Sequence, residues 1–338
     1  MELIMNKFEL ITPEEKINRK ILPYMTFPII NTCNLHCKYC GSGGEMTISN
    51  SNIFNVEPLE KWVNAACELG IQKFRLTGGE TFLHPDFKKI IFEVFKHAKE
   101  LLVNTNGTLI TEKKDLWIDS PNNIRYVVNY HGAKESTYDK ITGTKGKYKI
   151  LKKGIELLAN EQLLHRLNIV ICKDNYDELF DVIDYCRTIG TDLKIQDVVA
   201  VPWQFNEWKS IYYDTSEIEK ELEKRSSRIT DHRYARSFGT PTKIYTINGV
   251  NVTFKSIRNG SHYEMNTICN NCKYYPCHEG VYDLFVFPEG VACACNWTDL
   301  GKAKGQTEKE KITYLIEKFQ DSTYVEADLE TIKNGMCL

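Results

Sequence analysis

The stretch CNLHCKYCGSGGE, residues 33–45, crowds Cys33, Cys37 and Cys40 into eight positions and follows them with glycines. Four chemistries use thiols packed this closely: a disulfide knot, a zinc site, a redox thiol pair and an iron–sulfur cluster. The rest of the chain has to select among them.

Working outward, MTFPIINT (25–32) reads as a strand, so the cysteine loop hangs from that strand's C-terminal end. Beyond the loop, short apolar runs alternate with amphipathic stretches. Strands are expected at 73–80, 101–107, 124–132, 165–172 and 192–201. Helices are expected at 58–70, with Gly70 as the stop, and at 85–100, 111–119, 147–162 and 176–190. Repeats of roughly 25–35 residues are the size of βαβ units. Near-continuous apolar strands such as NIVIC suit a parallel sheet covered on both faces. The expected fold class is therefore α/β, a partial (βα)6 TIM-like barrel followed by a small β-rich module. By residue number, 1–22 form an N-terminal extension, 23–202 the barrel, 203–242 a polar helical bridge, and 243–338 the β-rich module with a helical tail. Chemistry in such barrels gathers at the C-terminal strand ends. The cysteine loop falls on that rim.

Composition narrows the chemistry. The chain has 338 residues, a net charge of −2 and twelve cysteines. That balance carries no nucleic-acid signature. There is no secretory signal at the N-terminus and no apolar run long enough to span a membrane. The protein is expected in the cytoplasm, where disulfides are rare and clustered cysteines bind metals or react. Two groups stand out, Cys33, Cys37 and Cys40, and then Cys269, Cys272, Cys277, Cys293 and Cys295. Cys67, Cys172 and Cys186 lie singly in apolar contexts and read as buried small hydrophobes.

Three cysteines on one tight loop can hold three irons of a [4Fe–4S] cube and leave the fourth open. Zinc sites usually draw two pairs from separated segments, and a Cys37–Cys40 redox pair leaves Cys33 without a role. The pattern C-x-x-x-C-x-x-C, with Tyr39 before the last cysteine and LTGGE (76–80) after the second strand, resembles the radical S-adenosylmethionine (radical SAM) superfamily. The resemblance covers roughly residues 23–200. It implies a cluster held by Cys33, Cys37 and Cys40, with S-adenosylmethionine chelating the open iron. It also implies that Gly78, Gly79 and Glu80 cradle the methionine amino group, and that Thr105, Asn129 and Asn168 stand at strand ends near S-adenosylmethionine. This chain has NYH (129–131) where relatives carry SLD. A flavodoxin or ferredoxin is the implied electron donor.

The second group, CNNCKYYPCHEGVYDLFVFPEGVACACNW (269–297), fits a zinc ribbon when taken alone. Beside the first motif, its C-x12-G-x4-C run from Cys277 through Gly290 to Cys295 resembles the opening of a SPASM/Twitch auxiliary-cluster module. Its C-x-x-C resembles the second-cluster region of the GTP 3′,8-cyclases of molybdenum-cofactor synthesis. These resemblances imply a second, auxiliary [4Fe–4S] cluster. The cyclases hold theirs with three cysteines and let substrate bind the open iron. This chain offers a fourth, so full ligation by Cys269, Cys272, Cys277 and Cys295 is expected, with an open iron as the alternative. Cys293, a strand neighbour of Cys295, should face the other way. The tail NGMCL, with Cys337, is similar in place to the tail that enters the barrel mouth in the cyclases, but lacks that family's terminal glycine pair.

Lys194, Gln196 and His131 end strands on the rim. Arg228, Arg233 and Arg236 in the bridge either grip a phosphate or, the reading their charge run favours, belong to an exposed charged helix. Tyr274 and Tyr275 flank the second group. The expected function is radical SAM chemistry on a small molecule, nucleotide- or sugar-like, in cofactor or natural-product biosynthesis. The alternative is a maturase of a ribosomally made precursor peptide. Neither membrane nor nucleic acid is an expected partner.

Overall fold

The computed structural model describes residues 22–40, 53–200, 205–233, 238–295 and 298–326. Six strands run in sequence order and in parallel: β1 (Met25–Ile30), β2 (Lys73–Gly78), β3 (Glu100–Thr105), β4 (Ile124–Asn129), β5 (Leu164–Ile171) and β6 (Asp192–Asp197). Crossovers cover their outer face, as in a partial (βα)6 barrel. Alternation along each strand sorts the side chains. Phe27, Phe74, Val103, Tyr126, Leu167 and Ile195 enter the core under the crossover segments. The positions between them, among them Arg75, Arg125, Arg166, Asn168 and Lys194, face the lumen.

The β-rich C-terminal module is present, and its strands complete the same sheet at both ends. β8 (Lys243–Ile247) and β9 (Val250–Lys255) form a hairpin about Asn248 and Gly249, both at positive φ, and β9 lies parallel to β6. β7 (Arg228–Asp231) edges that hairpin. β11 (Leu284–Val286) lies parallel to β1, with β12 (Ala292–Cys293) beyond it. The result is one open sheet of eleven strands. β10 (Ser261–Tyr263) and β13 (Thr323–Val325) pair apart from it. The tail helix Glu308–Phe319 starts with a capping box between Thr307 and Glu310, and Lys309 reaches Glu68 on the helix Val56–Glu68. The NGMCL tail lies outside the described residues.

Four elements differ from the sequence expectation, one of them β7, a strand within the segment 203–242 expected as a helical bridge. The helix expected at 85–100 is one α-turn, Phe87–Lys89, running into a π-turn, Ile90–Val94. Ile90, Ile91, Val94 and Phe95 are all buried, a wider apolar stripe than a 3.6-residue repeat presents. The helix expected at 111–119 is only a 3-10 turn, Lys114–Leu116. The chain folds back there to bury Trp117, whose indole N–H donates to the Ile110 carbonyl. A helix not expected, Glu135–Thr142, ends at Gly143 in the left-handed region. Among the described residues no helix is long and apolar enough to cross a membrane.

Asp283, just before β11, accepts hydrogen bonds from Thr26 on β1 and Arg75 on β2, tying three strands at the barrel floor. Asp283→Ala should cost about 3 kcal/mol, because it takes the carboxylate away from a largely buried guanidinium. A urea midpoint that moves by less than about 1 kcal/mol equivalent would contradict that role.

Candidate functional site

The first cysteine loop is held from two sides. The N–H groups of His36 and Lys38 donate to the carbonyls of Thr142 and Ile141, 2.9 and 3.0 Å away. Those carbonyls belong to the last turn of the helix Glu135–Thr142, where no intrahelical donor is available. Leu35 is buried, Cys37 half-buried, and Cys33 and Cys40 exposed. The helix therefore positions the cysteines. Its sequence signal was ESTYDKITG, a short polar segment closed by a glycine.

From the other side, the Gly79 and Glu80 N–H groups donate to the carbonyls of Ile30 and Thr32. A Cβ at Gly78 would lie 2.1 Å from the Ile30 oxygen, and one at Gly79 2.2 Å from that of Thr32. Only glycines let the β2 turn approach the root of the cysteine loop this closely.

Glu80 is fully buried, and burial pushes its carboxyl up against the hydrogen bonds that hold it down. Its carboxylate accepts from Thr105 Oγ1 (2.7 Å), Phe82 N (3.1 Å) and Asn106 N (2.7 Å). It is thus turned onto the β3 turn. Thr105 is also engaged, since it accepts from Gly107 N. Asn106, which sequence reasoning passed over, carries the link onward: its amide donates to Asn34 Oδ1 at 2.7 Å and approaches Cys33 Sγ at 3.8 Å. The signal available was NTNG at the end of the third strand. Glu80, Asn106 and Cys33 form one connected chain.

Tyr39 hydrogen-bonds His131, with its hydroxyl 2.6 Å from Nε2 and the rings 4.9 Å apart. Burial takes His131 down to about 4, so the imidazole is neutral. The same Tyr39 side chain lies close enough to Cys37 to favour its thiolate. Burial pushes the Cys37 thiol up to about 12, opposed by Tyr39 and reinforced by the charges of Cys40 and Cys33. Burial also pushes the Cys33 thiol up, and Cys37 feels both other cysteines, so a cation bound beside them would favour the thiolate forms. Among the described residues, no three His, Cys, Asp or Glu side chains converge as one mononuclear ion would require. A cube, each iron of which takes its own sulfur, makes no such demand.

Asn129 and Asn168 are register partners at the ends of β4 and β5, and Lys194 on β6 is the next member of that row. Asn168 Oδ1 accepts from Arg166 Nε at 3.0 Å. Where a closed barrel would be filled by branched apolar side chains, this lumen carries Arg75, Arg125, Arg166, Lys194, Gln196 and Lys255. Burial, together with Arg166, Lys255 and Arg75, holds the Lys194 ammonium well below its usual range. Burial and Arg75 bring Arg166 down to about 10, which leaves it a cation at neutral pH. Among the described residues Lys194 makes no hydrogen bond or ion pair. The bridge arginines are placed elsewhere. Arg228 is exposed on β7, Arg233 is bound by Asp231, and Arg236 lies outside the described residues.

The second cysteine group shares a common wall. Cys269, Cys272, Cys277 and Cys295 line one small cavity with Tyr263, Ile268, Tyr274 and Tyr275. Burial, then Cys295 and Cys272, push the Cys269 thiol up to about 12. Backbone N–H groups already point at two sulfurs: Tyr274 N lies 3.5 Å from Cys272 Sγ and Gly280 N 3.4 Å from Cys277 Sγ. Such N–H···S bonds suit thiolate ligands of a cluster. Cys293 is fully buried with Phe285 and Phe287, away from that cavity wall. Cys337 lies outside the described residues.

Residues 27–186 match the family model described as the radical SAM superfamily. The chain carries a radical SAM domain. Its curated relatives include probable GTP 3′,8-cyclases. That of Methanococcus aeolicus is 28% identical over 264 residues, 75% of this chain and 81% of that protein. That of Methanocaldococcus jannaschii is 26% identical over 254 residues, 75% of this chain and 82% of that protein. Among solved structures, Streptococcus suis SuiB bound to its precursor peptide SuiA superposes with a TM-score of 0.59 at 16% identity. The match covers 89% of this chain but 65% of SuiB, so this chain spans a little under two thirds of that protein. The enzyme anSMEcpe with bound AdoMet gives 0.57 at 16% identity, over 89% of this chain and 81% of that one. Both show the shared fold of a radical SAM barrel with a C-terminal β-rich module. Residues 27–186 are thus the domain of a radical SAM enzyme, a family whose cofactors are a [4Fe–4S] cluster and S-adenosylmethionine.

Cys37→Ala should lower the iron of anaerobically reconstituted protein by about four per chain; unchanged iron would refute the first site. Because the raised thiol must lose its proton on ligation, loading should weaken as pH falls. Proton release on loading, followed in weakly buffered solution, checks the sign.

Proposed function

We propose that this enzyme abstracts a hydrogen atom from an anionic, nucleotide-like small molecule bound in the barrel lumen, in cofactor or natural-product biosynthesis. The observation that carries this is the cationic lumen: Lys194 has no partner among the described residues, with Arg166 and Lys255 beside it. Buried cations of one sign destabilise one another unless an anion joins them. The GTP 3′,8-cyclase relatives point to the same substrate class.

When bound at Cys33, Cys37 and Cys40, the cluster with S-adenosylmethionine supplies reductive cleavage to methionine and a 5′-deoxyadenosyl radical. This chain's residues do the placing. Gly78 and Gly79 bring the β2 turn to the root of the cysteine loop, leaving backbone groups on the rim for the methionine end. Asn129 and Asn168 offer amides in one row for the remainder of that ligand. Tyr39, anchored by neutral His131, holds Cys37. Lys194, Gln196 and Arg166 take the anionic end of the substrate, and the apolar crossovers keep water away. A flavodoxin or ferredoxin supplies the electron. Cys269, Cys272, Cys277 and Cys295 hold the auxiliary [4Fe–4S] cluster.

A precursor peptide is the rival substrate, because the fold extends to SuiB, which was solved with one. Incubating the reduced enzyme with S-adenosylmethionine and either a panel of nucleoside phosphates or candidate peptides separates the two. A rise in 5′-deoxyadenosine with a nucleotide supports the proposal; a rise with peptides alone overturns it.

Lys194→Met should weaken nucleotide binding roughly 10–100-fold, the loss of one charge-assisted hydrogen bond. An anion beside Lys194 favours its charged form, so binding should take up a proton and weaken as pH rises through the depressed lysine pKa. Calorimetry in buffers of different ionisation enthalpy checks the proton uptake. Equal apparent enthalpies in all buffers would contradict it.

A further inference from the structure

We propose that Asp197 and His278 are positioning residues that set Cys277 as the fourth thiolate of the auxiliary site and so close it. The proposal rests on reading Cys269, Cys272, Cys277 and Cys295 as an iron–sulfur site. Cys269 and Cys272 share a single 3-10 turn, Cys269–Asn271, and its cap. Cys277 arrives separately, and the residue after it is clamped to the barrel.

Asp197 is the last residue of β6, and both it and His278 are 2% exposed. Asp197 Oδ2 accepts from Ser256 Oγ at 3.0 Å and from Ile257 N at 2.8 Å. Its Oδ1 stands 3.1 Å from His278 Nε2, a close polar contact rather than a straight hydrogen bond. Neither of those two atoms has a hydrogen-bond partner elsewhere. The other ring nitrogen, Nδ1, accepts from Ala200 N at 3.0 Å, which places the proton on Nε2, facing the carboxylate. The His278 carbonyl accepts from Ser261 Oγ at 3.1 Å. Both edges of the imidazole and its backbone are therefore held.

A buried carboxylate with only one oxygen satisfied is costly to keep without a second partner. Asp197 and His278 supply that need to each other. The effect on the neighbouring residue is direct. Cys277 has little freedom once His278 is fixed, its carbonyl accepts from Tyr263 Oη, and its sulfur receives Gly280 N. The clamp thus links the C-terminal end of β6, two positions above Ile195 in the core, to the wall of the auxiliary cavity. With Cys277 in place, all four irons have a thiolate, so the auxiliary site has no corner for an outside ligand. Released, the site would keep three thiolates and open one iron.

The test uses the full-length chain carrying Cys33→Ala, Cys37→Ala and Cys40→Ala, so that only the auxiliary cluster is seen. The parent should hold about four irons per chain, and cyanide should leave the reduced EPR spectrum unchanged. His278→Phe and Asp197→Asn should keep iron but shift the midpoint potential and make the spectrum respond to cyanide, as Cys277→Ala does. His278→Gln, whose amide can still face Asp197, should behave as the parent. A cyanide-insensitive His278→Phe cluster at the parent's potential overturns the proposal. So does a His278→Gln that behaves like His278→Phe, since packing alone would then account for both. Where a clamp variant fails to fold, Cys277→Ala decides: no cyanide response there means Cys277 is not a ligand. A parent without iron overturns the proposal together with the auxiliary-site reading and leaves the first site untouched.

Discussion

The contact on which the rest depends is between backbones. The turn after β2 presses against the end of β1 so closely that a methyl group at residue 78 or 79 would overlap the Ile30 or Thr32 carbonyl oxygen. That proximity ties the GGE turn to the start of the cysteine loop, through Gly79 N to Ile30 O and Glu80 N to Thr32 O. Buried Glu80 then spans to the β3 turn, and Asn106 completes the path to Cys33. Thiols, glycines and a carboxylate distant in sequence become one rigid rim. The helix Glu135–Thr142 closes it from the opposite side with carbonyls that no intrahelical donor reaches.

Below the rim the barrel is electrostatically unfinished. Asp283 satisfies Arg75 at the floor, and Glu279 stands 3.4 Å from Lys255 near the top. Between them Lys194 is left to share its surroundings with Arg166. A protein that only needed a stable core would fill this space with branched apolar residues. The open barrel is instead lined with cations, and it is this lining that the proposed anionic substrate rests on. The module that completes the sheet reaches the same lumen through the segment Cys277–Asp283, so the auxiliary cysteines and the substrate space share one connection.

Much of this was legible in the sequence. Strand positions came through because parallel strands covered on both faces are short apolar runs, and NIVIC or YVV admits few other readings. The cysteine spacing and LTGGE marked the rim, because both motifs are local. What escaped depends on tertiary contacts. The 3-10 turn at Lys114–Leu116 follows from burying Trp117, and the π-turn from burying four apolar residues on one short segment. The Glu80 carboxylate also takes backbone and hydroxyl donors from the β3 turn, which no motif displays. Asn106 and the Asp197–His278 contact join residues 73 and 81 positions from their partners, beyond any local pattern. Lys194 was legible as a candidate at the end of the sixth strand; that it makes no hydrogen bond or ion pair among the described residues, and that Arg166 and Lys255 stand near it, depends on tertiary packing.

The central claim is that Cys33, Cys37 and Cys40 leave one iron open for S-adenosylmethionine. The most direct measurement is the EPR spectrum of the reduced protein carrying Cys269→Ala, Cys272→Ala and Cys277→Ala, recorded with and without S-adenosylmethionine. The account predicts a [4Fe–4S] signal whose g-values move when S-adenosylmethionine is added. A signal indifferent to it, or protein that binds zinc and no iron at that loop, would contradict the account.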